Sequence, residues 1–237
     1  MKKFTSVLGA IALCVAPSAF ATVIDFNDVA EGTIVDNEYA AYGVTFNGVN
    51  VDRNVSNLAV AFDTTNQNSR DPDLEAPFYN VVNPSLGTAN PGNVLIIHEH
   101  PSSCDAYICA NPDDEGSQPA GYFEINFSTG VTLNSLDFFD IEDAENGYTA
   151  NNAIHLFDIN GDEIQAGNFF TPHTGGDNTW DRLYFNVAGV YSMQIGLKGS
   201  GAIDNLNFSV PEPSTIMLFG LGLIGLGLSR RKLSAKK

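Results

Sequence analysis

Apolar and polar residues alternate with a period of two in several short runs of this chain, and this pattern constrains the fold more than any other feature. In GYFEINF, Phe123, Ile125 and Phe127 share one parity, while the residues between them are polar. YSMQIGL repeats the pattern, with Met193 and Ile195 on the apolar side. Alternate side chains of a strand point to opposite faces, so these runs predict strands with one face in water.

Further short runs have a strand-like composition and are separated by turn residues: VIDF, GVTF, LAVAF, NVLIIHE, LDFFDI, LYFNV and IDNLNF. Together with the runs above they give roughly ten strands, which suits two packed antiparallel sheets. A chain of 237 residues is long enough for one such core. We therefore predict an all-β fold over residues 22–209, an antiparallel two-sheet sandwich.

Turn residues make two more local predictions. HLFDINGDEI places Asn160-Gly161 between two apolar runs, and this dipeptide predicts a type I′ hairpin turn because both residues accept positive φ. Residues 64–91 are rich in Asn, Asp, Pro and Ser. They predict a long ordered loop or an insertion with little regular structure.

Charge is distributed unevenly along the chain. All 28 acidic residues lie between residues 22 and 213, where the only cations are Arg53, Arg70, Arg182 and Lys198. Such a charge repels phosphates and anionic lipid surfaces, so nucleic acid is not an expected partner. Cations are the expected small partners, although a charged, solvated surface accounts for most of these carboxylates.

The first 21 residues have the three parts of a secretory signal peptide. Two lysines, an apolar run and a small-residue cleavage site follow one another: Lys2 and Lys3, residues 7–15, and Ala19-Phe20-Ala21. We expect signal peptidase to cut before Thr22, so that the mature chain leaves the cytoplasm.

A second apolar run, residues 216–228, lies near the C-terminus and predicts a short hydrophobic helix. Its thirteen residues would span about 20 Å as a helix, against about 30 Å of membrane hydrocarbon. Arg230, Arg231 and Lys232 follow it and would stay on the cytoplasmic side. The run therefore predicts a transient insertion in the inner membrane, with the acidic domain outside.

The residues on either side of this run carry a family resemblance. Val210-Pro211-Glu212-Pro213-Ser214, the Gly/Leu-rich run and Arg230-Arg231-Lys232 resemble, in this order, the PEP-CTERM sorting signal of Gram-negative bacteria, here residues 210–237. The resemblance implies cleavage by an exosortase near Pro-Glu-Pro and delivery to the cell surface or an exopolysaccharide matrix. An ordinary weak tail anchor is the alternative, and it leaves Pro-Glu-Pro unexplained.

The domain between the two ends resembles the extracellular jelly-roll domains often found ahead of PEP-CTERM signals. Three stretches carry this resemblance: IDFNDVAEGTIVDNEYAAYGVTF, AFDTTNQNSRDPDLEAPF with GNVLIIHE, and GAIDNLNFSVPEPS. Similar sandwiches often bind carbohydrate and hold a structural calcium ion, which the resemblance implies here only as fold analogy.

Two carboxylates are expected on the inward side of strands. Asp140 has the parity of Phe138 in LDFFDI, and Asp204 has that of Leu206 in AIDNLNF. A buried charge costs several kcal/mol unless it is paired or coordinated, so calcium is the predicted neutraliser. Further oxygen ligands are expected from Asp25, Asp71 and Asp73. The alternative is a strand end or bulge that returns these carboxylates to water.

Cys104 and Cys109 are the cysteines that remain after signal removal. Export brings them into an oxidising compartment, which favours a disulfide that closes a small loop. His98 and His100 alternate just before them and would share a strand face. The alternative is a zinc site of two thiolates with these histidines, which are otherwise an exposed strand end.

Motifs for catalysis are missing from the sequence: it has no G-x-S-x-G, no H-E-x-x-H and no P-loop. We therefore expect a non-catalytic protein of the cell surface or matrix that acts as a structural or glycan-contacting component. The alternative is a secreted enzyme that hydrolyses polysaccharide with an Asp/Glu pair, whose separation a sequence does not reveal. Trp180, in the loop-like GGDNTWD, is the candidate glycan contact ahead of Tyr148 and Tyr184, although such aromatics are more often core.

Overall fold

A computed structural model of the chain describes residues 20–142 and 149–211. The unit Ala21–Val210 is compact. The predictions for residues 1–19, for Tyr148 and for residues 212–237 lie outside the described residues. Within the described ranges, no helix has the length and apolar character needed to cross a membrane.

The described residues form strands joined by turns and single turns of 3₁₀ helix. The strands are β1 (Phe20–Ile24), β2 (Val44–Asn50), β3 (Ala59–Asp63), β4 (Phe78–Tyr79), β5 (Thr88–Ala89), β6 (Asn93–Ile97), β7 (Gly121–Phe139), β8 (Ala153–Phe157), β9 (Glu163–Phe170), β10 (Trp180–Leu197) and β11 (Ala202–Val210). The 3₁₀ turns are Ala40–Tyr42, Pro72–Leu74, Pro84–Leu86, Pro101–Ser103 and Ala150–Asn152.

Two long strands, β7 and β10, run through both layers of the fold. The first half of β7 pairs with β2 and with the end of β10, while its second half pairs with β11 and with the start of β10. Register shifts interrupt the β7–β10 ladder between Tyr184 and Ser192, where the strands change layer. All strands except β4 and β5 are hydrogen-bonded into one sheet of order β3-β6-β11-β7-β10-β8-β9, with β1 added to β11 and β2 to β7. We call the half of this sheet that contains β2, β8 and β9 the first layer, and the half that contains β3, β6 and β11 the second layer. The predicted all-β antiparallel sandwich is confirmed.

One apolar cluster joins the facing sides of the two layers. Phe123, Ile125 and Met193 of the first layer lie in it together with Phe138 and Ile203 of the second. The alternation predicted from GYFEINF and YSMQIGL is therefore the parity of side chains that face this core. Burial of these side chains supplies the main favourable term for folding.

A second apolar cluster lies on the outer face of the second layer. Val60, Phe62 and Ile96 face it from β3 and β6, which are buried on both faces. Residues 64–91, here called the covering segment, close this face with Leu74 and Phe78, whose ring lies edge-on to Phe139 at 4.9 Å between centroids. The regular structure of the covering segment is limited to two 3₁₀ turns and the two-residue strands β4 and β5. Burial on both faces explains why LAVAF and NVLII are continuous apolar runs.

The hairpin predicted at Asn160-Gly161 is present between β8 and β9, but its turn is of another type. Only Gly161 has a positive φ, of 78°, and its N–H donates to the Asp158 carbonyl at 3.0 Å. The Asp158 carboxylate accepts hydrogen bonds from the backbone N–H groups of Asn160 and Asp162, and these bonds stabilise the turn. This is a type I turn followed by a left-handed glycine, as is common in longer hairpin loops.

Candidate functional site

Three aspartates from distant parts of the chain lie together at the end of β7; we call them the acidic cluster (Asp71, Asp114 and Asp140). Asp71 precedes the 3₁₀ turn of the covering segment, Asp114 lies in the connection between β6 and β7, and Asp140 directly follows β7. The charge of Asp71 acts on both other carboxyl groups. The exposed fractions of these residues are only 8%, 9% and 2%, respectively.

Asp140 reaches the cluster because the chain leaves extended geometry at this residue. Its φ is 57°, and its N–H donates to the Thr179 carbonyl at 2.9 Å. Ile141, rather than Asp140, joins Phe138 in the core between the layers. The prediction that Asp140 shares the inward parity of Phe138 is therefore wrong, because a left-handed residue breaks the alternation on which it rested.

Asp114 is held by backbone contacts on two sides. The segment around it runs antiparallel to the chain after β6, since the N–H groups of Glu99 and Glu115 donate to the carbonyls of Asp113 and Ile97 at 2.9 Å each. The N–H of Gly201 donates to Oδ2 of Asp114. A hydrogen bond between the two carboxyl groups raises the pKa of Asp114 and lowers that of Asp71.

Burial is the largest cause of the raised pKa of each carboxyl group in the cluster. It raises the pKa of Asp140 to about 9, with the charges of Asp71 and Asp73 adding to the effect. Burial and the charge of Asp71 raise the pKa of Asp114 well above its ordinary value. Burial also raises the pKa of Asp71, while the hydrogen bond with Asp114 opposes the rise. Each carboxylate is thus costly to ionise without a cation.

Two oxygen atoms of the acidic cluster lack any hydrogen-bond partner. They are Oδ2 of Asp71 and Oδ1 of Asp140, and both are buried. Buried polar atoms in proteins are normally satisfied, and an unsatisfied one costs roughly 1–3 kcal/mol. The arrangement offers hard oxygen donors at low dielectric, which bind either a proton or a hard cation.

Asp204 belongs to a different buried group. Asp204 lies opposite Asp137 of β7, and a bulge at Asn205, whose φ is 52°, shifts the register of β11 directly after it. Opposed residues share a face, which makes the predicted parity of Asp204 with Leu206 wrong. The Asn205 amide donates to Asp137 at 3.0 Å and to Asp204 at 2.9 Å, and Oδ1 of Asp204 has no partner.

Asp137 is neutralised by a side chain from β10. Nε and Nη2 of Arg182 donate to its two carboxylate oxygens at 2.5 and 2.7 Å. Burial still raises the pKa of Asp137, and these bonds oppose that rise. Asp204 is left as the unpaired member of this group, with its pKa raised well above the ordinary value mainly by burial.

The five predicted metal ligands are thus divided between two places. Asp71, Asp73 and Asp140 act on one another electrostatically, whereas Asp204 interacts with Asp137 and with the exposed Asp25. Asp114 was missed by sequence reasoning, because it lies in an irregular connection where no strand parity marks it as buried. The run Asp113-Asp114-Glu115 gives no sign of which carboxylate points inward.

Cys104 and Cys109 form the predicted disulfide. The bond takes both sulfur atoms away from the alternative zinc site, although His98 lies close to them. His98 is buried rather than exposed: its ring nitrogens contact the Asp113 carbonyl at 3.0 Å and Oγ of Ser103 at 2.8 Å. The expected exposed strand end is therefore wrong for His98. It is half right for His100, which lies partly exposed.

Trp180 does not lie on the surface as the glycan prediction requires. Its exposed fraction is 5%, its ring stacks on Phe139 with centroids 6.1 Å apart, and its indole N–H donates to the Gly87 carbonyl at 3.1 Å. Trp180 is the first residue of β10 rather than part of a loop, so it faces the second apolar cluster. Tyr184 is exposed, and the most exposed aromatic residue in the described ranges is Tyr107, at 81%.

Comparison with known proteins identifies the C-terminal signal. The PEP-CTERM protein-sorting motif matches residues 209–232. A search of curated proteins finds no match to the chain.

Solved structures give only distant likenesses. A fucose binding module from Streptococcus pneumoniae aligns with 41% of this chain and 67% of its own, at 17% identity and a TM-score of 0.26. Wild-type discoidin II from Dictyostelium discoideum aligns with 79% of this chain and 62% of its own, at 9% identity and a TM-score of 0.34. The family 32 CBM from C. perfringens NanJ, solved with galactose, aligns with 76% of this chain and 100% of its own, at 13% identity and a TM-score of 0.29.

TM-scores this low carry no argument about what the chain binds. The sorting motif is specific, in contrast, and it begins within β11, whose last residue is Val210. The chain therefore carries a PEP-CTERM protein-sorting motif, which implies export and processing by an exosortase.

Proposed function

We propose that this chain is an exported, non-catalytic β-sandwich protein of the cell surface or exopolysaccharide matrix of a Gram-negative bacterium, where it contacts polysaccharide. The observation that carries the proposal is the sorting motif at residues 209–232, which begins in the last strand of a compact all-β unit. Signal peptidase and an exosortase are the processing enzymes in this proposal, and insertion in the inner membrane is transient.

The position of the last strand limits where the exosortase can cut. Val210 ends β11 and packs against the core between the layers, while Pro211 is exposed and has no N–H to extend the strand. A cut on the C-terminal side of Val210 leaves β11 whole. Because β11 lies between β6 and β7, a cut further upstream would remove an interior strand.

The buried position of the acidic cluster supports a non-catalytic role. A general acid or base must lie within hydrogen-bond reach of its substrate. Asp114 and Asp140 have the most perturbed carboxyl groups of the cluster, and both are closed off from solvent. A polysaccharide chain does not reach them.

Polysaccharide contact, in this proposal, falls to exposed aromatic residues instead of Trp180. Tyr107 lies at the tip of the loop closed by the disulfide, and its backbone carbonyl accepts from the N–H of Ile34 at 2.9 Å. The Asp105 carboxylate also accepts from the N–H of Tyr107 at 2.8 Å. A ring on a backbone that is already ordered loses little entropy when a sugar stacks on it.

Sorting is tested by replacing Pro211, Glu212 and Pro213 with alanine in the host. The variant should stay uncleaved in the inner membrane, while the control Lys236→Ala/Lys237→Ala, which lies beyond the matched motif, should be processed as wild type. Delivery of the triple variant to the medium or matrix at wild-type size and amount would refute the proposed sorting.

Polysaccharide contact is tested by retention of the processed protein on immobilised extracellular polysaccharides. Saturable retention that Tyr107→Ala weakens, with no release of sugar, is the expected result. Turnover of any polysaccharide would instead support the rival enzyme, and retention unchanged in Tyr107→Ala would remove Tyr107 from the contact surface.

A further inference from the structure

We propose that Asp71 and Asp140, with Asp114 beside them, bind one calcium ion that fastens the covering segment to the end of β7. The site lies within the folded domain and depends neither on sorting nor on polysaccharide contact. Two of its carboxylate oxygens have no hydrogen-bond partner.

The first step is the pair of unpartnered oxygens. Oδ2 of Asp71 and Oδ1 of Asp140 are buried without any hydrogen bond, in residues that are more than nine-tenths buried. A single unpaired acceptor would have a local cause. Two unpaired acceptors on residues that interact electrostatically, Asp71 and Asp140, indicate a common ligand. That ligand must be positively charged or donate hydrogen bonds, since carboxylates only accept.

The second step is the charge around the cluster. The side chains whose charge acts most strongly on Asp71 and Asp140 are all acidic: Asp73, Asp113, Asp114, Asp177 and Glu142. Arg70, whose guanidinium lies 3.9 Å from Asp113, pairs with that partly exposed carboxylate rather than with the cluster. The cluster therefore differs from the Asp137 group, which has Arg182 as its counter-ion.

The third step is the choice of ion. All donors here are oxygens, which excludes the usual zinc ligands and favours a hard cation. Among described residues, the groups of three donors within 4.8 Å of one another are His98 with both cysteines, and Glu99 with His100 and Asp113. The three carboxylates of the acidic cluster are not such a group, so an ion would bind two of them directly and complete its shell with backbone oxygens and ordered water. Calcium, with six to eight ligands in flexible geometry, suits this better than magnesium.

A competing account is that protons alone neutralise the cluster. The hydrogen bond with Asp71 raises the pKa of Asp114, and burial favours the neutral form of all three groups. The two accounts differ in what an Asn substitution does. If protons suffice, Asp140→Asn leaves every property except pH dependence unchanged; if calcium binds, the same substitution weakens the calcium response.

The structural consequence lies in the covering segment. The covering segment contributes Asp71 to the cluster. Asp114 comes from the connection before β7, and Asp140 directly follows β7. A cation shared between them would fix the segment over Phe139 and Trp180. Removing calcium should therefore expose residues 64–91 to proteases before the rest of the domain unfolds.

The test measures thermal unfolding of the full chain, purified in mild detergent, with calcium, magnesium or chelator at constant ionic strength. Calcium at a hundredfold excess over its dissociation constant should raise the midpoint by about 5–10 °C, and magnesium should raise it less. Asp71→Asn and Asp140→Asn should lower the calcium affinity at least about tenfold. Asp204→Asn is the matched control, because Asp204 is equally buried and also has an unpartnered oxygen, but lies in the other group.

Equal calcium shifts in wild type and in both cluster variants would overturn the proposal, as would the absence of any shift in wild type. A lost response in Asp204→Asn alone would move the site to the Asp137 group and refute this one. If the cluster variants fail to fold, the metal content of wild type decides: one calcium per chain after dialysis is expected, and none would refute the site.

Discussion

The buried ion pair of Asp137 and Arg182 lends itself to a quantitative test. Substituting Arg182→Met keeps most of the apolar stem of the side chain but removes both hydrogen bonds, at 2.5 and 2.7 Å, to the Asp137 carboxylate. Asp137 is buried, and its remaining donor is the Asn205 amide at 3.0 Å. The variant would therefore leave a buried carboxylate without a counter-ion, next to the unpaired Asp204.

Breaking a buried pair by removing one partner costs about 3–5 kcal/mol, because the other charge stays buried. Arg182 retains 32% of its side-chain exposure, so we expect the lower end, about 3 kcal/mol. With a urea m-value of about 2 kcal/mol/M, the unfolding midpoint should fall by about 1.5 M. Part of this loss should be recovered in Arg182→Met/Asp137→Asn, which removes the uncompensated charge as well.

The assay is urea unfolding of the purified protein, followed by circular dichroism and by the fluorescence of Trp180, the only tryptophan of the chain. The pH adds a sign. Without Arg182, burial leaves the pKa of Asp137 further above its unfolded value, so the penalty is present above that unfolded value and shrinks as the pH falls toward about 4.

Arg70→Met is the matched control, because Arg70 is half exposed and its contact with the partly exposed Asp113, at 3.9 Å, is a surface ion pair. It should cost at most about 1 kcal/mol. A loss below about 1 kcal/mol in Arg182→Met, or one equal to that of the control, would show that the Asp137 carboxylate is not desolvated as its burial indicates.

Three further predictions concern the disulfide, the covering segment and the acidic cluster. Replacing Cys104 and Cys109 with serine opens a six-residue loop and should lower the free energy of unfolding by about 2 kcal/mol, by the loop-entropy relation. Unfolding midpoints of the oxidised wild type and of the serine variant measure this loss, and identical midpoints would contradict it. Phe78→Ala removes a fully buried ring that packs on Phe139 and should cost about 3–5 kcal/mol, with early proteolysis inside the covering segment rather than throughout the domain. Without calcium, the free energy of unfolding should fall as the pH rises from about 4 toward 9, because the pKa of Asp140 in the folded protein is raised to about 9 and the folded protein holds a proton that the unfolded chain releases. The calcium-induced shift of the unfolding midpoint should grow over the same pH range. An opposite trend in the stability or in the calcium-induced shift would refute the assignment.

Local sequence was sufficient wherever the backbone stays extended. Phe123, Ile125 and Met193 face the core as their alternation indicates, because a strand repeats every two residues whatever lies beside it. The same reasoning failed at Asp140 and Asp204. In each case one left-handed residue, Asp140 itself or Asn205, reverses the parity, and short-range pattern does not reveal such a residue.

The sequence by itself determined the sandwich class, the disulfide partners and the sorting motif, since each depends on residue types at short spacing. Tertiary structure alone decided which carboxylates meet. Asp71, Asp114 and Asp140 are separated by dozens of residues and come together only because the covering segment folds back over the second layer. It also decided that Trp180 is buried: the indole is apolar enough for core or surface, and the segment that closes over it comes from a distant part of the chain.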